Sequence, residues 1–160
     1  MQKPDSALDS LDRRLLRLLQ QDARLSAQEL AERLHLSPSQ IGRRRQRLEA
    51  EGYVTAYRAA LSPERLGLGV EAFIQVVMAT HTAENAADFM ALTRGREDIT
   101  GAWTLTGEAD YLLRVFTHDL ASLNALVQNI LLPHPAVSRV HSQIVMERVK
   151  ADAPLPVETA

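Results

Sequence analysis

The chain of 160 residues is 46% hydrophobic, 24% charged and 4% aromatic, the balance of a folded protein with one ordinary domain or two small ones. It has no cysteine, which excludes a disulfide scaffold, a thiolate zinc site and a cysteine nucleophile, and no apolar run approaches the roughly 20 residues that span a bilayer. The formal net charge of −2 by itself argues against nucleic acid.

That charge is a sum over unlike halves. Residues 1–62 carry eleven basic and eight acidic side chains, and residues 63–160 carry seven and twelve, giving +3 and −5. The change falls in Leu61–Gly69, a stretch with one proline and two glycines. This predicts two modules, 1–60 and 70–150, with a linker over 61–69 and a flexible tail over 151–160. The opening MQKPDSALDS has no apolar signal core, so a cytoplasmic location is expected.

Leu8, Leu11, Leu15 and Leu18 recur at helical spacing and predict a helix from Ser10 to Asp22. Ser26-Ala27-Gln28-Glu29 reads as a capping box for a short second helix with Leu30 and Leu34 on one face. After a tight turn at His35–Ser37, Ser37-Pro38-Ser39-Gln40 caps a third helix that ends near Glu51, with Gly52 as terminator. A short helix, a tight turn and a capped basic helix read as a helix-turn-helix.

On a helical wheel with Ile41 at the core, Leu48 falls about 20° away, and Ser39, Arg43, Gln46 and Arg47 fall roughly 140–240° away, facing outward. Gln40 and Arg44 flank that face. Guanidinium and amide groups suit phosphates and base edges in a major groove. Ser37, Ser39, Gln40, Arg43, Arg44, Gln46 and Arg47 are therefore the candidate DNA-binding residues, and double-stranded DNA the expected partner. Arg45 falls about 40° from Ile41, on the buried side; its stem should lie along apolar surface and its head reach a carboxylate or the solvent edge. The YVTAYRAAL run after Gly52 predicts a short strand pair, a wing, with Tyr53 and Tyr57 packing and Arg58 within reach of phosphate.

In the second half Val70–Met78 alternates, with Ala72, Ile74, Val76 and Met78 on one face. A helix follows over 83–93, bearing Ala86, Phe89 and Met90. Ile99, Gly101, Trp103 and Leu105 alternate on a second strand; Tyr111, Leu113 and Val115 alternate on a third. Asp119 caps a helix carrying Leu120, Leu123, Val127, Ile130 and Leu131, stopped by Pro133 and Pro135. Val137–Val149 is the last strand. The order βαββαβ predicts a ferredoxin-like antiparallel sheet, so the chain as a whole reads as α+β. Both helices should cover one face, and apolar residues on the other predict self-association.

No catalytic or metal-binding set emerges. His35, His81, His118, His134 and His141 are scattered without ligand spacing, and no phosphate loop, dinucleotide fingerprint or nucleophile elbow occurs. No cofactor is expected. Glu108 and Asp110 form a carboxylate pair in a turn, a weak acid/base signal. The loop reads better as a small-ligand site, with backbone N–H groups at Gly107 for a carboxylate and Asp110 for an ammonium, as a free amino acid would require; an ordinary hairpin turn is the alternative.

The run LDRRLLRLLQQDARLSAQELAERLHLSPSQIGRRRQRLEAEGYVTAYRAAL resembles the DNA-binding domain of the leucine-responsive/asparagine-responsive (Lrp/AsnC) bacterial transcription regulators. TLTGEADYLLRV and VSRVHSQIVMERVK resemble that family's effector domain, so the resemblance covers about residues 8–150. It implies a regulator whose DNA binding and assembly respond to an amino acid, with Thr106, Gly107, Asp110 and Tyr111 matching the ligand loop. It also implies homodimers that build tetramers or octamers. Ser39, Gln40, Arg43, Arg44 and Arg47 match the recognition helix; Arg45 departs from the usual Val or Ile, which bears on helix packing. Two alternatives stand beside this reading: an architectural DNA-binding protein without a ligand, and an enzyme akin to siroheme decarboxylases, which resemble these regulators. The enzyme is disfavoured because GAWTLTGEADYLLRV has no histidine and one arginine.

Overall fold

The computed structural model describes residues 8–157. The leader reading of residues 1–7 and the tail's last three residues, 158–160, lie outside the described residues. The chain divides into two units, Met1–Ala60 with Lys150–Ala160, and Leu61–Val149. Among the described residues no helix is long and apolar enough to cross a membrane.

Among the described residues the first unit holds three helices: α1 (Ser10–Gln21), α2 (Ala27–Leu34) and α3 (Pro38–Ala50). Each starts in a reciprocal capping box, Asp9 with Asp12, Ser26 with Glu29 and Ser37 with Gln40, so each helix end satisfies its own first-turn donors. Leu15, Leu16 and Leu19 of α1 pack with Leu30 and Leu34 of α2 and with Ile41 and Leu48 of α3. The turn between α2 and α3 passes through His35 in the left-handed region (φ 56), and Gly52 (φ 76) follows α3.

The expected wing strands do not form: among the described residues no strand occurs over 53–61. YVTAYRAAL contains no Gly, Pro, Asn or Asp to reverse the chain within it; Tyr53 and Val54 bend off the end of α3 with both N–H groups on the Leu48 carbonyl, and residues 55–61 carry no regular structure. The described part of the closing segment makes one pairing with α1. Leu155 donates its N–H to Gln20 Oε1 (2.7 Å) and accepts from Gln20 Nε2 (3.2 Å), so one carboxamide pairs with one backbone unit as a strand neighbour would.

The second unit is a four-stranded antiparallel sheet of β1 (Val70–Met78), β2 (Ile99–Thr104), β3 (Tyr111–Thr117) and β4 (Val137–Ile144), in the order β2-β3-β1-β4. In the linker region a single turn at Glu64–Leu66 leads to Gly67 (φ 78), whose carbonyl lies 2.9 Å from His118 Nδ1. Helices α4 (Ala83–Arg94) and α5 (Leu120–Leu126) cover one face, where Phe89, Leu123 and Leu126 join Ala72, Ile74, Val76, Leu113 and Val115.

Three expectations shift. β2 is out of step at a bulge between Ile99 and Gly101: Ile99 pairs with Val115 on the helix side, whereas Gly101 and Trp103 pair with Arg114 and Leu112 on the open side. After α5, Val127–Leu131 forms a π-helical turn that shifts the phase of the residues within it and keeps Leu131 buried, while Leu120, at the start of α5, is 59% exposed. β4 ends at Ile144 rather than Val149, because Val145 makes its last backbone bond to Glu71, next to the start of β1.

Phe89 is fully buried and meets the Tyr111 ring at 4.8 Å and the His134 ring edge-on at 5.6 Å. Phe89→Ala should destabilise the second unit by about 3–5 kcal/mol, read as a lower denaturation midpoint with Tyr111 as the local probe.

Candidate nucleic-acid interface and ligand pocket

Helix α3 is presented by its cap. Ser37 Oγ accepts from the Gln40 N–H (3.3 Å) and Gln40 Oε1 accepts from the Ser37 N–H (2.9 Å). Both side chains are exposed, yet their oxygens are committed to the box; Gln40 retains its Nε2 donor. Ser39, Arg43 and Gln46 are exposed, and Arg43 has no hydrogen bond or ion pair among the described residues. These three lie where the wheel puts them.

Arg44 and Arg47 are turned aside from that face. Arg44 Nη1 donates to Asp9 Oδ2 and Asp12 Oδ1, each at 2.6 Å, and Arg47 Nη2 donates to Asp12 Oδ2. Asp12 is fully buried, and the two arginine side chains are 25% and 40% exposed. The hydrogen bonds to Asp9 and Asp12 raise the Arg44 pKa, and that to Asp12 raises the Arg47 pKa, so both stay charged. Burial pushes the Asp9 carboxyl up, but the Asp12 backbone N–H and Arg44 outweigh it and hold the group below its ordinary value of 3.8.

Asp12 was not legible as a functional residue from charge or motif. The signal that marks it is positional: it precedes Leu15, Leu16 and Leu19 by three, four and seven residues, on the core stripe of α1. Arg45 behaves as its position demands. Its Nε donates to Glu49 Oε1 (3.1 Å) and Tyr57 Oη (3.0 Å), and its guanidinium lies 4.7 Å over the Tyr57 ring. Tyr53 packs against the helical core, and Arg58 is exposed on the extended segment.

In the second unit, Thr106 and Gly107 are exposed at the tip of the β2–β3 loop, where Gly107 (φ 121) adopts a conformation that favours glycine. Neither is among the residues that line the cavity next to Asp110 and Tyr111. Asp110 Oδ2 accepts the Met78 N–H at 2.7 Å, and its other oxygen lies 3.6 Å from His81 Nδ1. Asp110 and Tyr111 open instead onto a cavity of about 350 Å³, shared with Met78, His81, Ala83, Ala86 and Leu105. Among the described residues no group of three or more His, Cys, Asp or Glu side chains is placed to hold a metal ion.

A capped helix-turn-helix with a basic outward face, joined in one chain to a βαββαβ unit with a cavity of its own, is the arrangement of ligand-responsive DNA-binding regulators. Residues 8–55 match the model described as winged helix-turn-helix DNA-binding, and residues 71–155 match the Lrp/AsnC ligand binding domain. The chain belongs to the Lrp/AsnC family of transcriptional regulators. It is 36% identical over 151 residues to the DNA-binding transcriptional activator DecR of Escherichia coli K12, covering 94% of this chain and 99% of that one. It is 32% identical to the leucine-responsive regulatory protein of Salmonella typhimurium, covering 98% and 96%. Among solved structures, the transcriptional regulator NMB0573 of Neisseria meningitidis, in complex with L-Met, superposes with a TM-score of 0.90 at 39% identity, covering 94% and 97%.

The lowered Asp9 pKa has a consequence for stability. Its contribution is fully present above the unfolded value and is lost as pH falls through the lower folded value. Asp9→Asn keeps a capping side chain but removes the charge. Its thermal midpoint should lie below wild type at pH 7, and the gap should close as pH falls below about 4.

Proposed function

We propose that the chain is a cytoplasmic, non-enzymatic transcription regulator that reads duplex DNA with the exposed face of α3 and senses a free amino acid in its βαββαβ unit. One observation carries the DNA reading: Ser39, Arg43 and Gln46 stand exposed on a helix whose start is locked by a capping box, with Arg43 unpaired among the described residues. Ser37 and Gln40 sit at the helix entrance, where phosphate contact sets the register. Arg44 and Arg47 flank the face.

The effector reading rests on the Asp110 cavity. Asp110 Oδ1 is the acceptor for an α-ammonium. The first turn of α4, beginning at Ala83 on the cavity wall, supplies N–H donors for the carboxylate, in place of Gly107. Met78, Ala86, Leu105 and Tyr111 give a small apolar wall for the side chain. The L-Met complex of the Neisseria relative supports an amino acid as the ligand class.

The open face of the sheet supports a homodimer. Phe73, Val77, Leu112, Phe116 and Trp103 lie on it, opposite the face that the helices cover, and Trp103 is 49% exposed. A two-fold dimer matches a pseudo-palindromic site, and further association to tetramers or octamers gives states between which an effector selects.

Selection from a random duplex pool should return a pseudo-palindromic motif, and Arg43→Ala should bind it at least about tenfold more weakly at fixed salt. Undiminished binding in a gel-shift titration would sink the assignment of α3. A thermal-shift screen of the twenty amino acids, L-methionine included, should return at least one that raises the wild-type midpoint. Asp110→Asn keeps an acceptor for Met78 but no charge, and should erase that shift while leaving DNA affinity without effector unchanged.

A further inference from the structure

The Asp12 carboxylate is the one fully buried charge among the described residues, and the DNA-contacting role proposed for α3 does not use it. Its two oxygens face two arginines one helical turn apart on α3: Oδ1 accepts from Arg44 and Oδ2 from Arg47. Asp9, in the same capping box, takes the second bond from Arg44 Nη1. The Asp9 N–H also donates to Asp12 Oδ2 at 3.2 Å, which holds the carboxylate in place.

Packing alone leaves α3 poorly oriented. Only Ile41 and Leu48 of its thirteen residues are buried and apolar, and they lie on one narrow stripe. Apolar burial is non-directional, so this stripe resists separation far better than it resists rotation about the helix axis or sliding along it. Charge-assisted hydrogen bonds are directional. Two of them, from positions i and i+3 of one helix to the two oxygens of one fixed carboxylate, define both the rotation and the axial position.

We infer that Asp12 is a positioning residue for DNA recognition: it holds Arg44 and Arg47 as struts that set the angle of α3, and it withdraws both from the phosphate-contacting set. This rests on the DNA reading of α3 proposed above. Arg43 and Gln46 then present to the duplex at an orientation set from inside the protein.

The test is the salt dependence of binding by the full-length chain to a duplex recovered by selection, for wild type and four variants. A phosphate-contacting residue contributes about 0.9 to the slope of log K against log salt. Arg43→Gln should reduce the slope by about that amount. Arg44→Gln and Arg47→Gln should leave the slope at its wild-type value and weaken binding by about tenfold at every salt concentration, the size of one displaced base contact. Asp12→Asn should also weaken binding, although removing a negative charge near DNA would by electrostatics alone strengthen it. If Asp12→Asn does not fold, the half-exposed Arg47→Gln carries the test.

A slope loss of about 0.9 in Arg44→Gln or Arg47→Gln overturns the inference by making that residue a phosphate contact. So does wild-type affinity in both, or tighter binding by Asp12→Asn. If Arg43→Gln changes neither affinity nor slope, the DNA reading of α3 fails first, and the inference with it.

Discussion

A carboxylate buried in a leucine core is costly unless its charge is answered. In the first unit the answer comes from the recognition helix itself. Asp12 sits on the inner stripe of α1 beside Leu15, Leu16 and Leu19 and takes hydrogen bonds from Arg44 and Arg47 of α3. The arrangement makes the pose of α3 depend on a bond network rather than on shape alone. An apolar residue at position 12 could fill the same space, but it would leave two cationic side chains without a fixed direction. The outward residues Ser39, Arg43 and Gln46 inherit their geometry from this inward contact.

The second unit uses a carboxylate differently. Asp110 is partly open to solvent; one of its oxygens takes the Met78 N–H at the β1 bulge, and the other lies 3.6 Å from His81 Nδ1. The other faces a cavity bounded by the start of α4 and by apolar side chains from β1 and the β2–β3 loop. One acid therefore locks a helix and the other leaves a lone pair for a ligand. The difference follows from burial: a fully enclosed charge must be satisfied by the protein, whereas a half-exposed one can exchange water for an ammonium.

Much of this was legible in the residues. Among the described residues, period and capping signals located α1 to α5 and β1 to β4, and the alternation of Ala72, Ile74, Val76 and Met78 named the buried face of β1. Arg45, on the wrong side of its helix by periodicity, found the carboxylate of Glu49 and the ring of Tyr57 as a long amphipathic side chain should. The departures have local causes that no pattern encodes. A single bulged residue at Thr100 reversed the phase of Trp103, a π turn shifted the phase after Leu126, and YVTAYRAAL had strand composition but no turn with which to pair. The site was less legible than the fold. A helical wheel sorts residues into inward and outward but says nothing of which neighbouring helix claims a flanking arginine; Arg44 and Arg47 were claimed by a residue 32 and 35 positions away. Likewise a loop motif groups Thr106 and Gly107 with Asp110 by proximity in the chain, whereas the cavity groups Asp110 with Met78 and Ala86.

The most direct test is a structure of the chain bound to duplex DNA. The account predicts Arg43 and Gln46 at base edges or phosphates in the major groove, with Arg44 and Arg47 still hydrogen-bonded to Asp12. Arg44 and Arg47 extended onto phosphates, with Asp12 left without them, would contradict it.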